Sequence, residues 1–368
     1  MSHSCTHTTN SVTLAVLLGV IPVATPGWAQ GSADRDLPVV WVLATGGTIS
    51  GQGATSTSLA DYKSGALLGE QLVAGVPEIA RVAKVHVEQI ANVSSTDITV
   101  GHWLTMANRI NTIFRDDPKV AGVVITHGTN TLEETAYFLN LTVKHDRPVV
   151  LVGSMRPASA ISADGPLNLL NAVRTAVSPE SRGKGVLVVL NDEINAAREV
   201  TKTNTYRVET FRSPELGLLG YVDADAVTFY RSSTRRHTTK SEFDVSQLKE
   251  LPKVDIVYSY VQPSPVMAQA LVTAGVRGIV FAGTGAGLMS TAERDALKPL
   301  LALPPDARPI LVRSNRTGNG RVIAQAEYDR IGMIPADTLN PQKARILLML
   351  ALTRTHDVGE IRRMFAEY

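Results

Sequence analysis

The sequence predicts an α/β fold with a larger N-terminal domain, built on a mainly parallel sheet flanked by helices, and a smaller C-terminal α/β domain. Three observations carry that expectation. Continuous β-branched runs end in glycine-containing loops, stretches of helical periodicity lie between most of them, and a polar, strand-poor segment divides the 368 residues. Strands that are apolar on both faces belong in parallel sheets covered by helices on each side. A chain of this length exceeds what one small core holds.

The elements follow in order. "LPVVWVLATGGTIS" reads as a buried strand entering a tight turn at a glycine pair, and "VAGVVITHGTN", "RPVVLVGSMRP" and "KGVLVVLNDE" repeat the pattern. Thr131 followed by Glu134 has capping-box spacing ahead of "TAYFLNLTV", which places residues 127–130 between a strand end and a helix start. Ligands of open α/β sheets bind at such junctions. The expected N-terminal domain covers residues 37–230. Residues 231–253, "RSSTRRHTTKSEFDVSQLKELPK", read as a linker whose Arg235, Arg236 and His237 form a solvated basic run. Residues 254–368 form the second domain, with strands "VDIVYSY", "GIVFAG" and "RPILVRS", a helix opened by Pro341, and a short last helix in "VGEIRRMFAEY".

Composition narrows the function. With 44% hydrophobic and 19% charged residues and a formal net charge of +2, neither a nucleic-acid partner nor an anionic membrane surface is demanded, and a small-molecule partner is expected. Residues 1–29 contain no Lys, Arg, Asp or Glu and include "VTLAVLLGVIPVA", the pattern of a secretory signal cut after Ala29. The stretch is short for a membrane span and holds Pro22. A periplasmic or secreted protein, free of the membrane after cleavage, is therefore expected. Cys5, the single cysteine, would leave with the signal, so the mature chain would hold no disulfide. No His/Cys cluster has zinc spacing, and neither a metal nor an organic cofactor is expected.

Two loops share a chemistry: "ATGGTIS" at 44–50 and "THGTNT" at 126–131 each put a threonine directly after glycine at a strand end. An exposed hydroxyl with free N–H groups nearby suits acyl transfer, and tight turns with helix-capping hydroxyls are the alternative reading. Phosphate binding fits less well. Neither loop has P-loop spacing, and "GTGAGL" at 283–288 ends in Leu288 where a dinucleotide fingerprint needs glycine.

From about Leu37 to Tyr368 the chain resembles the bacterial type II L-asparaginase and glutaminase-asparaginase family. The motifs "LATGGTIS", "VVITHGTNTLEETAYFL", "VGSMRP", "SADGPLNLLNAV", "GVLVVLNDEI", "VTKTNT", "RRHTT", "SEFD" and "TLNPQKAR" occur in that family's order. The resemblance implies an amidohydrolase that converts L-asparagine to L-aspartate and ammonia, with L-glutamine as a possible second substrate, assembled as a homotetramer. It also implies roles. Thr48 matches the nucleophile, Tyr62 the tyrosine of a mobile loop, and Thr129 with Lys202 a second threonine and its lysine partner. Ser95, with Thr96 beside it, matches substrate-binding positions. Glu327 matches a carboxylate supplied across a subunit interface. The N–H groups of Gly47 and Thr129 are expected oxyanion donors, and His127 is expected to be structural.

Two positions depart from the family pattern. Asn130 stands where "HGTD" is usual, and Ala286 where an asparagine is common. Both changes remove polar contacts to the amino-acid end of the substrate, and without a carboxylate at 130 Lys202 is expected to hold its proton less tightly. They also motivate an alternative, a non-catalytic binding or sensing protein for small amino acids. Retention of Thr48, Tyr62, Thr129 and Lys202 together argues against it.

Overall fold

Alternation along each strand decides how the large sheet is buried. In the computed structural model, which describes residues 1–4, 6, 36–304 and 307–368, Val123 and Ile125 point into one layer while Val124 between them points into the other. Eight strands share this sheet: β1 (Val39–Gly46), β2 (Lys84–Val93), β3 (Val120–Thr126), β4 (Val149–Val152), β5 (Val186–Leu190), β6 (Glu193–Ala196), β7 (Gly220–Val222) and β8 (Val227–Phe229). Their order is β8-β7-β6-β5-β4-β3-β1-β2. The five strands from β2 to β5 run parallel, and β6, β7 and β8 continue antiparallel.

Helices α1 (Val100–Asp116) and α2 (Leu132–Thr142) cover one face and α3 (Gly165–Val177) the other. Each fully buried Val, Leu or Ile contributes about 1.5–3 kcal/mol to this packing. A second sheet, β9 (Val254–Tyr258), β10 (Gly278–Gly283), β11 (Ile310–Asn315) and β12 (Ile334–Pro335), is wholly parallel in chain order. Helix α4 (Val266–Thr273) packs on one face of it. On the other, α5 (Pro341–Ala351) carries its apolar side between the second sheet and α2, joining both lobes in one core. Asn340 caps α5, its Oδ1 accepting from Lys343 N at 3.1 Å, as Pro341 at the first turn requires of a well-formed start. The last helix, α6, spans Val358–Glu367.

Several expectations change. Thr131 precedes α2, but its hydroxyl donates to Ser95 O at 2.6 Å and does not cap the helix, because the loop beside it offers the closer acceptor. Residues 231–253 are a packed strap, with Phe243 and Val245 in the core. Arg235 pairs with Asp337 at 2.7 Å and Arg236 with Glu367 and Glu242, so the basic run is spent on ion pairs to the C-terminal part of the chain. The antiparallel edge went unread although its signal is present. Asn191 and Asp192 separate two apolar runs and both adopt positive φ, 52° and 64°, the two-residue turn of a tight hairpin. The apolar stretch at 12–24, Cys5 and the cut after Ala29 lie outside the described residues. No helix among the described residues is long and apolar enough to cross a membrane.

Candidate active site

The carboxyl ends of β1 and β3 lie side by side in the sheet, so the two glycine-threonine loops leave it together. They touch through glycine. A Cβ on Gly47, whose φ is +82°, would sit 2.2 Å from Gly128 Cα, and one on Gly128 would sit 2.8 Å from Ser95 Oγ. Only side-chain-free residues allow this approach. Thr48 then opens a single turn, and Tyr62 reaches it from a small hairpin in which Gln52–Gly53 pairs with Tyr62–Lys63. The tyrosine ring lies against Gly51, where a Cβ would be 2.7 Å from Cδ2. The Thr48 and Tyr62 hydroxyls are hydrogen-bonded at 2.7 Å.

Lys202 arrives on a short strand, Thr201–Lys202, paired with Phe211–Arg212 outside the main sheet. Its Nζ donates to Thr129 Oγ1 at 2.8 Å and to Asn130 Oδ1 at 3.0 Å. Burial lowers its affinity for the proton, and the Glu133 carboxylate opposes that effect. Thr48 and Thr129 are buried, Asn130 is exposed. An open cleft of about 470 Å³ is lined by Thr48, Tyr62, Thr129, Asn130 and Lys202 together with Leu59, Ala60, Met155 and residues 203–206.

His127 sits beneath the loop, fully buried, with Nδ1 2.7 Å from Gly128 O and Nε2 3.0 Å from Thr135 Oγ1, which accepts from Trp103 Nε1 at 2.8 Å. Burial pushes its pKa down to about 4. A neutral imidazole locked between two partners supports the loop and has no path to the cleft.

This geometry coincides with a family signature. Residues 39–235 match the family model described as "Asparaginase, N-terminal", and residues 253–365 match "Glutaminase/Asparaginase C-terminal domain". The chain belongs to the asparaginase family. It is 51% identical to L-asparaginase 2 of Bacillus subtilis over 92% of this chain and 89% of that one. It is 46% identical to a Haemophilus influenzae protein named "Probable L-asparaginase periplasmic", over 90% and 94%. A crystal structure described as that of a probable cytoplasmic L-asparaginase from Campylobacter jejuni superposes with a TM-score of 0.87 at 47% identity, covering 90% of this chain and all of that one.

Within this asparaginase-family site, the sequence-derived residues separate into two groups. Thr48, Tyr62, Thr129, Asn130 and Lys202 meet in the cleft. Gly47, Ser95, Thr96 and Glu327 do not line it. Gly47 N–H, expected as an oxyanion donor, donates to Val93 O at 3.0 Å and is spent joining the β1 loop to β2. Thr129, which lines the cleft, has no acceptor for its N–H among the described residues. Ser95 Oγ accepts from Asn130 N at 3.1 Å, a support behind the loop, and Thr96 Oγ1 turns to Ser94 Oγ at 2.9 Å. Glu327 is on the second lobe, half-exposed, 3.8 Å from Arg294.

Two contributions escaped the sequence reading. Residues Thr203–Tyr206 form a wall of the cleft, signalled only by the hydroxyl-rich continuation of "VTKTNT". Glu133 was legible as an acid in "TNTLEE", yet nothing in the sequence told that it is buried and bonded to the Lys202 backbone.

Proposed function

We propose that this chain is an exported amidohydrolase that converts L-asparagine to L-aspartate and ammonia, with L-glutamine as a possible second substrate, through an acyl-threonine. The observation that carries the reading is the pair of hydroxyl contacts in one cleft: Thr48 to Tyr62 at 2.7 Å and Thr129 to Lys202 at 2.8 Å. A threonine hydroxyl titrates far above neutral pH, so it attacks only as a group of suitable basicity takes its proton. Thr48 Oγ1 adds to the amide carbon, its proton passing through Tyr62 OH or the Lys202–Thr129 pair. The C–N bond breaks, and the proton leaves on ammonia. Water adds to the Thr48 ester, its proton restores the hydroxyl, and the carboxylate departs. Thr129 N–H is the backbone donor available to the oxyanion.

Glu327 enters this scheme from a second copy of the chain, because in its own chain it pairs with Arg294 outside the cleft. Exposed Tyr258, Tyr260, Val261, Val266 and Met267 on the second lobe offer apolar surface for such an assembly. Export is supported by the uncharged apolar N-terminal segment and by the periplasmic relative. The test is ammonia release from L-asparagine, L-glutamine and D-asparagine by the purified protein. Parent turnover that drops about 10³-fold or more in Thr48→Ala is the expected result, since losing a nucleophile removes the covalent route. Equal turnover in both proteins would remove Thr48 from the reaction.

A further inference from the structure

The motif "TLNPQKAR" has no part in the cleft, yet its side chains reach back toward Lys202. Glu133 is buried at the start of α2. Its Oε2 accepts from the Lys202 backbone N at 2.6 Å, and its Oε1 accepts from Asn340 Nδ2 at 3.0 Å and Gln342 Nε2 at 2.6 Å. Next to them, the buried Lys343 Nζ donates to Arg198 O at 3.0 Å and to Val200 O, holding the segment that ends in Lys202. Five hydrogen bonds from four donors thus tie Glu133 and the segment ending in Lys202 to each other and to the start of α5.

We propose that Glu133 is a positioning residue that fixes both the place and the charge state of Lys202, and that the start of α5 holds Glu133 for that purpose. The inference rests on the amidohydrolase reading above. Asn130 gives Lys202 Nζ an uncharged acceptor, and among the described residues no carboxylate is paired with the ammonium. Glu133, in the first turn of α2, is then the charge that acts on it. The other ionisable groups near this cluster bear on Lys343 and Glu134 instead: Arg198 and Glu199 after β6 and Glu134 on α2 act on Lys343, and Arg345 on α5 acts on Glu134. Burial pushes Lys343 itself down to about 8, with Glu133 opposing. A carboxylate bonded to the backbone of a catalytic lysine orients it as an outer ligand orients a metal-bound histidine, and its charge favours the ammonium.

Two readouts separate position from charge. The first is a titration of Lys202 by NMR on ¹³Cε-lysine-labelled protein, its resonance assigned by loss in Lys202→Met, which needs no activity. The second is the pH profile of ammonia release. Glu133→Gln is expected to lower the Lys202 midpoint by about one pH unit. Its kcat should fall about tenfold with KM within about threefold, as an interaction made through catalysis and not through binding would show. Adding Asn130→Asp to Glu133→Gln returns a carboxylate beside Nζ, and should restore the midpoint while leaving kcat low. Gln342→Met, which spares the charge, should lower kcat about threefold with an unmoved midpoint, and serves if Glu133→Gln does not fold. An unchanged midpoint and kcat in folded Glu133→Gln, or parental kcat in Gln342→Met, would overturn the proposal. A parent that releases no ammonia while its Lys202 midpoint still moves in Glu133→Gln would instead refute the amidohydrolase reading and leave the charge coupling standing.

Discussion

At the scale of single residues, the site is governed by what burial does to ionisable groups. His127 is fully enclosed and bonded at both ring nitrogens, which holds it neutral with a pKa near 4 in place of the ordinary 6.5. Its folded value is depressed, so the unfolded chain binds the proton first as pH falls. The stability contributed by neutral His127 is present above pH 6.5 and is lost progressively between 6.5 and 4, to a total of at most about 3 kcal/mol. His127→Gln keeps a donor and an acceptor without a titration, and its urea stability should decline less between pH 7 and pH 5 than that of the parent. Parallel declines would assign the acid sensitivity to other groups. Lys202 shows the same balance with a charged opponent, since burial disfavours its charge while Glu133 supports it. The sequence showed the lysine and the missing carboxylate at 130, but not the buried carboxylate that accepts from the lysine's backbone.

At the scale of elements, the cleft exists because two loops can touch. Gly47 lies against Gly128 with its backbone at φ +82°, a conformation costly for any residue with a Cβ. Gly47→Ala should therefore lose about 2–4 kcal/mol of stability by strain and overpacking, together with the Thr48 geometry. Chemical unfolding within about 0.5 kcal/mol of the parent would show that the loops can separate without cost. Much of this scale was legible. β1, β3, β4, β5 and β10 are almost wholly apolar runs, as is the first half of β11, and such runs are buried wherever a sheet is covered on both faces, whereas β9 carries Asp255 and ends in exposed Tyr258. β2 was not legible, because as an edge strand it has no fully buried side chain and mixes half-buried with exposed ones, His86, Glu88 and Gln89 among them. The hairpin at Asn191–Asp192 was overlooked for a different reason: its turn was read as the end of β5, not as the start of a return.

At the scale of the whole molecule, the two lobes share one core through α5, and the same helix start carries the Asn340 and Gln342 contacts to Glu133. The proposed assembly is tested at Glu327, which lies outside the cleft of its own chain. Chains carrying Thr48→Ala and chains carrying Glu327→Ala are each expected to be inactive. Co-expressed, they should regain roughly a quarter of parental activity, since random mixing in a symmetric assembly rebuilds that share of clefts from intact halves. Full activity of Glu327→Ala by itself would place Glu327 outside the reaction, and two inactive variants with no recovery would place it in its own chain's cleft.

The sequence by itself determined the strand-rich α/β class, the two threonine loops and membership in a family, because each is written in local composition, spacing or motif order. Tertiary structure alone decided that Gly47 N–H is spent on Val93, that Ser95 supports the loop from behind, that Arg235 and Arg236 are tied to distant carboxylates, and that Glu133 reaches the Lys202 backbone. The physical reason is common to all four. Hydrogen-bonding capacity is fixed by residue type, but which partner consumes it depends on what folding brings within about 3 Å, often across many tens of residues of chain.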